Sequence, residues 1–333
     1  MNLQTVHAVP TRIHGGTDAL GLPVFDFSTN SNACGPCPTV KIAVAQADAA
    51  HYPDASYTAL RGKLAAFHAV EPWRIVIAGS ASEFIFRITA LAKLCGISAV
   101  FVPTHSFGDY AYAAKAWGLP LSSDASQAGL VWHCQPSSPL GQVDSAPIEG
   151  SRGTTHVLDL AYAPLQLGKV NRSEAGRYDH LWQLYSPNKA LGLTGVRAAY
   201  VIAPLDAQER VNQLAGLCAS WPLGAHGVAL LNNWVSNDVQ AWLETSLQTL
   251  QAWKTRQIAL LEALGWTCWP SETNFFCAKP AQPLDLPHLR TAGIKLRDTT
   301  SFGLPGHFRL SVQPPVAQDA LKITLQTERS SLQ

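Results

Sequence analysis

Short apolar runs alternate with amphipathic stretches through the first two thirds of the chain. The apolar runs have the length of buried strands: 74–78, 99–102, 130–134 and 156–160. The amphipathic stretches have helical spacing: from Val40 onward, 56–68, 80–95 and 107–117. Strands that alternate with helices predict an α/β fold with a largely parallel sheet covered on both faces. Ligands of such sheets bind beyond the carboxyl ends of the strands.

The pattern changes after about residue 204. A long amphipathic stretch, Val235 to Leu264, predicts a helix that ends before Gly265. Shorter elements are predicted beyond it: a strand pair at 267–278, a helix at 286–292, a strand at 308–312 and a last helix from Val316. These elements predict a smaller α+β unit. Because residues 1–40 are rich in Gly, Asn, Thr and Pro, they are predicted to form an extended arm against this unit. The predicted division is 1–40 arm, 41–205 large domain and 206–333 small domain.

Composition excludes several classes of protein. The chain has 333 residues, of which 47% are hydrophobic and 14% charged, so it is expected to be globular. Its net charge of +1 gives no basic footprint for nucleic acid. The longest apolar stretch, 88–102, contains Lys93 and Gly96 and is too short for a membrane span, and no signal peptide is visible. Seven cysteines without regular spacing favour a reducing, cytoplasmic compartment. We expect no metal, nucleic-acid or membrane ligand.

Lys189 lies in a Ser/Gly/Thr-rich turn between two apolar runs. A lone lysine in such a turn is usually an exposed loop residue. The alternative is a lysine whose amine condenses with an aldehyde cofactor. Its neighbours favour the alternative, because Ser186 and Arg197 offer a hydroxyl and a guanidinium that suit a phosphate. Gly192 and Gly195 allow backbone to approach a ligand closely.

The pattern Ser-x-x-Lys-x-x-Gly-x-x-Gly-x-Arg, residues 186–197, resembles the cofactor-lysine segment of the fold type I pyridoxal-phosphate enzymes. This resemblance implies the aspartate-aminotransferase-like fold, in which a large domain with a mostly parallel sheet adjoins a smaller α+β domain. It implies pyridoxal 5'-phosphate as the cofactor and a small amino-acid substrate. Lys189 would then form the covalent link to the cofactor.

Three further residues match positions that hold the cofactor ring in this family. Asp159 ends a predicted strand, where a buried carboxylate is costly unless paired. By itself it could equally be a helix cap or turn residue. The resemblance implies that Asp159 meets the pyridine nitrogen, that the Tyr162 hydroxyl meets the ring oxygen, and that Phe107 stacks on the ring. Without the resemblance, Phe107 would be an ordinary core residue.

Ser80, Ala81 and Ser82 begin a helix directly after a strand, where free N–H groups favour a phosphate. The alternative is an ordinary capping box between Ser80 and Glu83. The resemblance implies that the cofactor phosphate binds at this turn, together with Ser186 and Arg197.

Tyr52 lies in the segment His51-Tyr52-Pro53-Asp54. The segment resembles the one whose tyrosine reaches the cofactor phosphate of the partner subunit. The resemblance therefore implies a homodimer with shared active sites.

The resemblance also implies a substrate-binding set made of Arg309, Arg297 and Asn32. Arg309 lies in a predicted strand and corresponds to the arginine that grips the substrate α-carboxylate. Arg297 is a second cation close by in sequence. Taken alone, Arg309 could be a surface residue, and Arg297 could form a solvated turn with Asp298.

Other motifs indicate one branch of the family. The run His14-Gly15-Gly16, the arm 26–32 and the segment from Arg297 to Arg309 resemble the histidinol-phosphate aminotransferase branch. They are most similar to the threonine-phosphate decarboxylases of cobalamin synthesis. The resemblance implies decarboxylation of L-threonine-O-3-phosphate, with transamination of histidinol phosphate as the alternative.

The chain departs from the family pattern at a few positions. Ser138 replaces the asparagine that bonds the ring oxygen, so we expect a weaker hold there. Asn188 precedes the lysine where Thr or Ser is common, and Ala33 replaces a proline of the arm. These changes leave open a protein that binds a partner on this fold without turnover.

A different class is indicated by Cys34-Gly35-Pro36-Cys37, which resembles the thioredoxin redox motif. The chain is too long for that fold and shows no complete thioredoxin unit. A thiol redox function is therefore kept as a remote alternative.

Overall fold

A computed structural model of the chain describes residues 14–144, 146, 148–151, 153–168 and 178–331. The strands in these ranges are β1 (Phe25–Asp26), β2 (Ile75–Ala78), β3 (Val100–Phe101), β4 (Leu121–Ser122), β5 (Leu130–Cys134), β6 (Thr155–Asp159), β7 (Trp182–Tyr185), β8 (Ala199–Ile202), β9 (Thr267–Cys268), β10 (Phe275–Lys279), β11 (Ile294–Lys295), β12 (Arg297–Asp298) and β13 (Phe308–Ser311). The helices are α1 (Pro38–Ala45), α2 (Thr58–His68), α3 (Ala81–Leu94), α4 (Gly108–Ala116), α5 (Gln208–Gly216), α6 (Ala225–Trp234), α7 (Asn237–Ala263), α8 (Leu286–Thr291) and α9 (Pro315–Ser331).

Seven of these strands form the largest sheet, in the order β2-β8-β7-β6-β5-β3-β4. Strand β8 is antiparallel to both of its neighbours, and the other pairings are parallel. The predicted α/β fold with a mostly parallel sheet is thereby confirmed. The Lys189 turn joins the adjacent strands β7 and β8, as the apolar runs on either side of it predicted.

Apolar side chains cover both faces of this sheet. Along β2, Ile75 and Ile77 belong to one core cluster, whereas Val76 and Ala78 belong to the other. Successive side chains of a strand point to opposite faces, so this alternation marks a sheet buried on both sides. Residues of α3, α4 and α5 fill one layer, and residues of α1, α2, α6 and α7 contribute to the other.

A second sheet, in the order β12-β13-β10-β9, is antiparallel throughout. The arm reaches this half of the chain, because β1 pairs in parallel with β11 and places Phe25 opposite Ile294. The first 13 residues of the predicted arm lie outside the described ranges. The division into domains at residues 40 and 205 stays a prediction.

The predicted elements were found within one or two residues of their expected bounds. Several others were not predicted: the helices α5 and α6, and the two-residue strands β4, β11 and β12. Strands this short carry too few side chains to show a periodicity of two. Within the described ranges, no helix combines the length and the apolar character needed to cross a membrane.

Candidate active site

A cavity of about 660 Å³ lies beyond the carboxyl ends of the central strands. Cys134 and Asp159 end the parallel strands β5 and β6, and Ser186 follows β7 directly. The cavity is lined by these predicted residues: Ala81, Ser82, Phe107, Ser138, Asp159, Tyr162, Ser186, Lys189, Arg197, Arg297 and Arg309. Ser80, Asn32 and Tyr52 are not among the lining residues. The sequence pattern therefore identified most of this wall, drawn from both sheets.

Lys189 is half-buried at the cavity, with its Nζ 4.9 Å from the centre of the Tyr162 ring. Its backbone is held firmly, because its carbonyl oxygen accepts hydrogen bonds from the amides of Asn32 at 2.9 Å and Gly192 at 3.2 Å. Gly192 has φ +69° and lies so close to Gly35 that an added Cβ would be 2.9 Å from the Gly35 Cα. A side chain at 192 would displace the arm from the lysine turn.

Asp159 is buried beside the cavity, with 4% of its surface exposed. Its Oδ1 accepts from the Ala161 amide at 2.9 Å, and its Oδ2 accepts from the Tyr110 hydroxyl at 2.7 Å. Burial raises the pKa of Asp159, and the Tyr110 bond, the Ala161 bond and the Lys189 charge each oppose that rise. The sequence did not single out Tyr110, although it stands three residues after Phe107 at the start of the same helix.

Residues at the start of α3 have two roles: one caps the helix, and the next two line the cavity. The Ser80 Oγ accepts from the Glu83 amide at 3.1 Å, which confirms the predicted N-cap. The Glu83 carboxylate accepts from the Gly79 amide at 3.1 Å, not from that of Ser80, so the expected capping box is closed one residue earlier. Ser80 is used for the cap, and Ala81 and Ser82 are the residues of this turn that reach the cavity.

Ser186 and Arg197 complete the phosphate-type side of the cavity. The Ser186 Oγ donates to the Asn188 side chain at 3.0 Å, and Arg197 is exposed at the cavity mouth. Two hydroxyl side chains, a helix N-terminus and a guanidinium converge here, which is the chemistry that binds a phosphate dianion.

Arg297 and Arg309 are buried directly opposite each other on the antiparallel strands β12 and β13. Arg309 donates to the Ser28 carbonyl at 3.1 Å and to the Ser138 hydroxyl at 3.4 Å, and its Nε has no hydrogen-bond partner among the described residues. Burial, and then the neighbouring Arg309 charge, lower the pKa of Arg297 to about 10. Two buried like charges repel each other, so the cavity wall they share is suited to an anionic ligand.

Asn30, rather than Asn32, is the arm asparagine that reaches the cavity. The Asn32 amide donates to the Ala190 carbonyl at 3.0 Å and to the Ser246 hydroxyl at 2.8 Å, so it ties the arm to the lysine turn and to α7. Asn30 donates to the Tyr162 hydroxyl at 3.2 Å, while no described residue donates a hydrogen bond to its buried Oδ1. Substrate contact by Asn32 is not supported by this arrangement.

Tyr52 lies away from the cavity of its own chain. It is 77% exposed, and its ring stacks on Trp221 with 4.4 Å between ring centres. An exposed aromatic pair of this size is an unusual surface feature for a chain on its own.

The cysteines of the redox-like motif do not have activated thiols. Burial raises the pKa of Cys34 to about 11 and also raises the pKa of Cys37. A redox motif needs the opposite, a thiol whose pKa is lowered. The segment instead packs against the lysine turn, where the Cys37 amide donates to the Leu191 carbonyl at 2.8 Å.

These residues fit a pyridoxal phosphate. A lysine amine stands beside an aromatic phenol, a buried carboxylate keeps spare acceptor positions, and a helix N-terminus faces the same cavity. Fold and site together define a fold type I enzyme that uses pyridoxal phosphate.

The model of the family "Aminotransferase class I and II" matches residues 23–326, and the chain belongs to this family. Histidinol-phosphate aminotransferase of Roseobacter denitrificans is 25% identical over 94% of this chain and 92% of its own length. Histidinol-phosphate aminotransferase 1 of Thiobacillus denitrificans is 29% identical over 88% of this chain and 83% of its own.

Two solved structures share the fold. Histidinol-phosphate aminotransferase from Sinorhizobium meliloti, in complex with pyridoxal-5'-phosphate, has a TM-score of 0.73 and 21% identity, covering 92% of this chain and 90% of that one. L-threonine-O-3-phosphate decarboxylase from Porphyromonas gingivalis has a TM-score of 0.75 and 21% identity, covering 91% and 99%. The predicted family and cofactor are confirmed. The decarboxylase, our first expectation, is matched as a structural neighbour, whereas the sequence relatives favour the alternative, an aminotransferase.

Proposed function

We propose that this enzyme is an aminotransferase of the histidinol-phosphate type, acting on an amino compound that also carries a phosphate. The observation that carries the proposal is the facing pair Arg297 and Arg309, buried on the cavity wall. Two guanidinium groups can receive two anionic groups, or one anion from two sides, and each favours bidentate contact with a planar or phosphate oxygen pair. The sequence relatives point the same way.

Bound pyridoxal phosphate supplies an electron sink that stabilises negative charge at the α-carbon of an amino compound. In this proposal, Lys189 Nζ would hold the cofactor and move a proton at that carbon. Asp159 would keep a proton on the pyridine nitrogen, and the Tyr162 hydroxyl would hold the ring oxygen. Phe107 would pack against the ring, and Ala81, Ser82, Ser186 and Arg197 would hold the phosphate. Arg309 and Arg297 orient the substrate anions.

The test supplies each substrate separately to the purified enzyme. We expect turnover of histidinol phosphate that depends on 2-oxoglutarate, with no release of CO2. Release of CO2 from L-threonine-O-3-phosphate, without any 2-oxo acid, would overturn the aminotransferase assignment in favour of the decarboxylase.

The decarboxylase remains the second candidate because of the arm. Gly15 packs so closely on the Ser28 carbonyl that no side chain fits there, and this brings His14 to the cavity. The motif His14-Gly15-Gly16 is one of the features that favour the decarboxylase. A His14→Ala variant tests whether His14 contributes to decarboxylation. A lower rate of decarboxylation, with no loss of transamination, supports this second candidate. An unchanged rate of decarboxylation argues against it.

We further propose a homodimer in which Tyr52 contacts the cofactor of the partner subunit. The exposed Tyr52–Trp221 stack, outside the chain's own cavity, supports this role. If Lys189→Ala and Tyr52→Phe are each strongly impaired, their mixture should regain activity through hybrid sites once subunits exchange. A stable monomer with full activity would contradict the shared site.

We also propose that the enzyme is located in the cytoplasm.

A further inference from the structure

The Tyr110 hydroxyl forms a hydrogen bond with Asp159. It donates to Asp159 Oδ2 at 2.7 Å, an ordinary length for a hydroxyl donor. The backbone amide of Ala161 donates to the other carboxylate oxygen at 2.9 Å. Among the described residues, each oxygen of Asp159 therefore has one donor, and it retains room for another from a ligand.

The position of Tyr110 is fixed from several sides. The residue is fully buried, and its ring stacks on Trp132 of β5 with 4.4 Å between centres and 11° between planes. The Phe107 ring lies 5.9 Å from it and nearly perpendicular, and the Cys134 side chain is a further partner. Because Phe107 caps α4 and Tyr110 lies in its first turn, one helix start carries both the ring-stacking residue and the donor to Asp159.

The bond also acts on the charge of Asp159. Burial raises the pKa of this carboxyl, and the Tyr110 hydrogen bond is the strongest of the effects that oppose the rise. Burial and the nearby carboxylate hold the pKa of Tyr110 well above its usual range, so its hydroxyl remains a donor at every working pH. A permanent donor to one oxygen favours the ionised carboxylate over the neutral acid.

We propose that Tyr110 is a positioning residue for the cofactor, which fixes the ionised Asp159 carboxylate toward the pyridine nitrogen. The role is the same for transamination and for decarboxylation, so it does not depend on which of the two reactions this enzyme performs. The competing explanation is an ordinary core hydrogen bond that only stabilises the fold.

The test compares Tyr110→Phe with Tyr200→Phe. Tyr200 is a matched control, since it is also fully buried, stacks on Tyr185 at 5.1 Å, and accepts a hydrogen bond from Trp234 at 3.1 Å. Its strand β8 lies on the far side of β7 from β6, and Tyr200 does not line the cavity. Both variants should unfold at a lower temperature, because both lose a buried hydroxyl.

Cofactor affinity separates the two variants. We expect apoenzyme carrying Tyr110→Phe to bind pyridoxal phosphate about tenfold more weakly, a typical loss for a bond to a charged group. Its affinity should also decline at a higher pH than in the parent as the solution is acidified, because Asp159 is then protonated more easily. Tyr200→Phe should keep the parent's affinity and pH profile. If Tyr110→Phe matches Tyr200→Phe in both measurements, Tyr110 is merely structural.

A second comparison uses Asp159→Asn, which removes the charge that Tyr110 is proposed to serve. In that background, Tyr110→Phe should weaken cofactor binding by less than about twofold, because the two residues act through one bond. An equal loss in both backgrounds would overturn the proposal. If Tyr110→Phe does not fold, Tyr110→His keeps a ring N–H donor and should retain tighter cofactor binding than Tyr110→Leu; equal binding by those two variants would also overturn it.

Discussion

The two ends of the cavity are built in different ways. At the cofactor end, Asp159 and Lys189 stand at or after strand ends of the parallel sheet, and Asp159 already has hydrogen-bond donors within the protein. At the arginine end, Arg297 and Arg309 face each other across two antiparallel strands. The two facing guanidinium charges are of one sign, and Arg309 Nε has no hydrogen-bond partner within the described part of the chain.

The cofactor end is preorganised by protein groups, whereas the arginine end holds two like charges that an anionic ligand would neutralise. The cofactor end has its charge and geometry set by neighbouring groups, which suits a resident group that stays through every turnover. The arginine end keeps like charges buried at a cost, which an incoming anion relieves. Substrate choice is therefore expected to depend on the arginine end, and the general chemistry on the cofactor end.

The largest effect is expected at Lys189. Lys189→Ala removes the amine that links to the cofactor and moves the proton, so turnover should fall by at least ~10³-fold. The variant should also lack the yellow colour of the parent, which borohydride reduction bleaches while it leaves the cofactor attached to this lysine by a stable bond. Peptide mapping of reduced parent protein checks the position. Full activity in Lys189→Ala would show that this lysine neither holds the cofactor nor moves the proton.

Arg309→Ala should give the next largest effect and leave the cofactor end intact. Removing a buried guanidinium that pairs with a substrate anion should lower kcat/KM by about 100-fold, while the affinity for pyridoxal phosphate stays within a factor of two. Arg256→Ala serves as the control, because Arg256 is partly exposed and pairs with Asp319 at 2.6 Å. A parallel loss of cofactor affinity would mean that the two ends are not separable.

The two ends should also respond to opposite limbs of the pH range. The pKa of Arg297 is lowered to about 10, so its positive charge is lost as pH rises through that value. We expect the KM for a phosphorylated substrate to rise above about pH 10 in the parent, measured by initial rates at constant ionic strength. Arg297→Gln has no such charge, so its KM should be high already and vary less over this range. If KM rises with pH in the same way in the parent and in Arg297→Gln, a group other than Arg297 causes the alkaline rise.

Acid should act on the cofactor end. Because burial raises the pKa of Asp159, its charge is lost sooner on acidification than that of an exposed aspartate. The affinity for pyridoxal phosphate should fall as pH decreases, with the arginines still charged. In Asp159→Asn the affinity should be low and flat over the same range, and a cofactor titration of apoenzyme measures both.

The smallest effect is expected at Ser138, where the two ends meet. Its hydroxyl accepts from Arg309 at 3.4 Å and lines the cavity. Ser138→Asn restores a longer amide toward the cofactor, worth about 1 kcal/mol if one hydrogen bond is gained, so cofactor affinity should improve a few-fold. The same change crowds Arg309, so KM should rise. If neither cofactor affinity nor KM changes, Ser138 contacts neither the cofactor nor the substrate.

Local patterns in the sequence were enough to predict the main sheet, the lysine turn and the position of Asp159. Alternating apolar runs and amphipathic stretches were enough for the mostly parallel sheet, since periodicity reflects which face of each element is buried. The lysine turn was recognisable because Ser, Gly and Arg surround Lys189 within a dozen residues. Asp159 stood out as a carboxylate at the end of an apolar run, where a charge needs a partner.

Only the tertiary structure decided which side chains meet. Asn30 and Asn32 look alike in the sequence, but Asn32 is drawn into the protein by Ser246, which is 214 residues away. Tyr110 has an ordinary helix position, and its bond to Asp159 spans 49 residues. Arg297 and Arg309 face each other because of strand register across a sheet, and a two-residue strand has no periodicity to reveal that register. Contacts of this kind depend on how distant segments pack, and no local pattern carries that information.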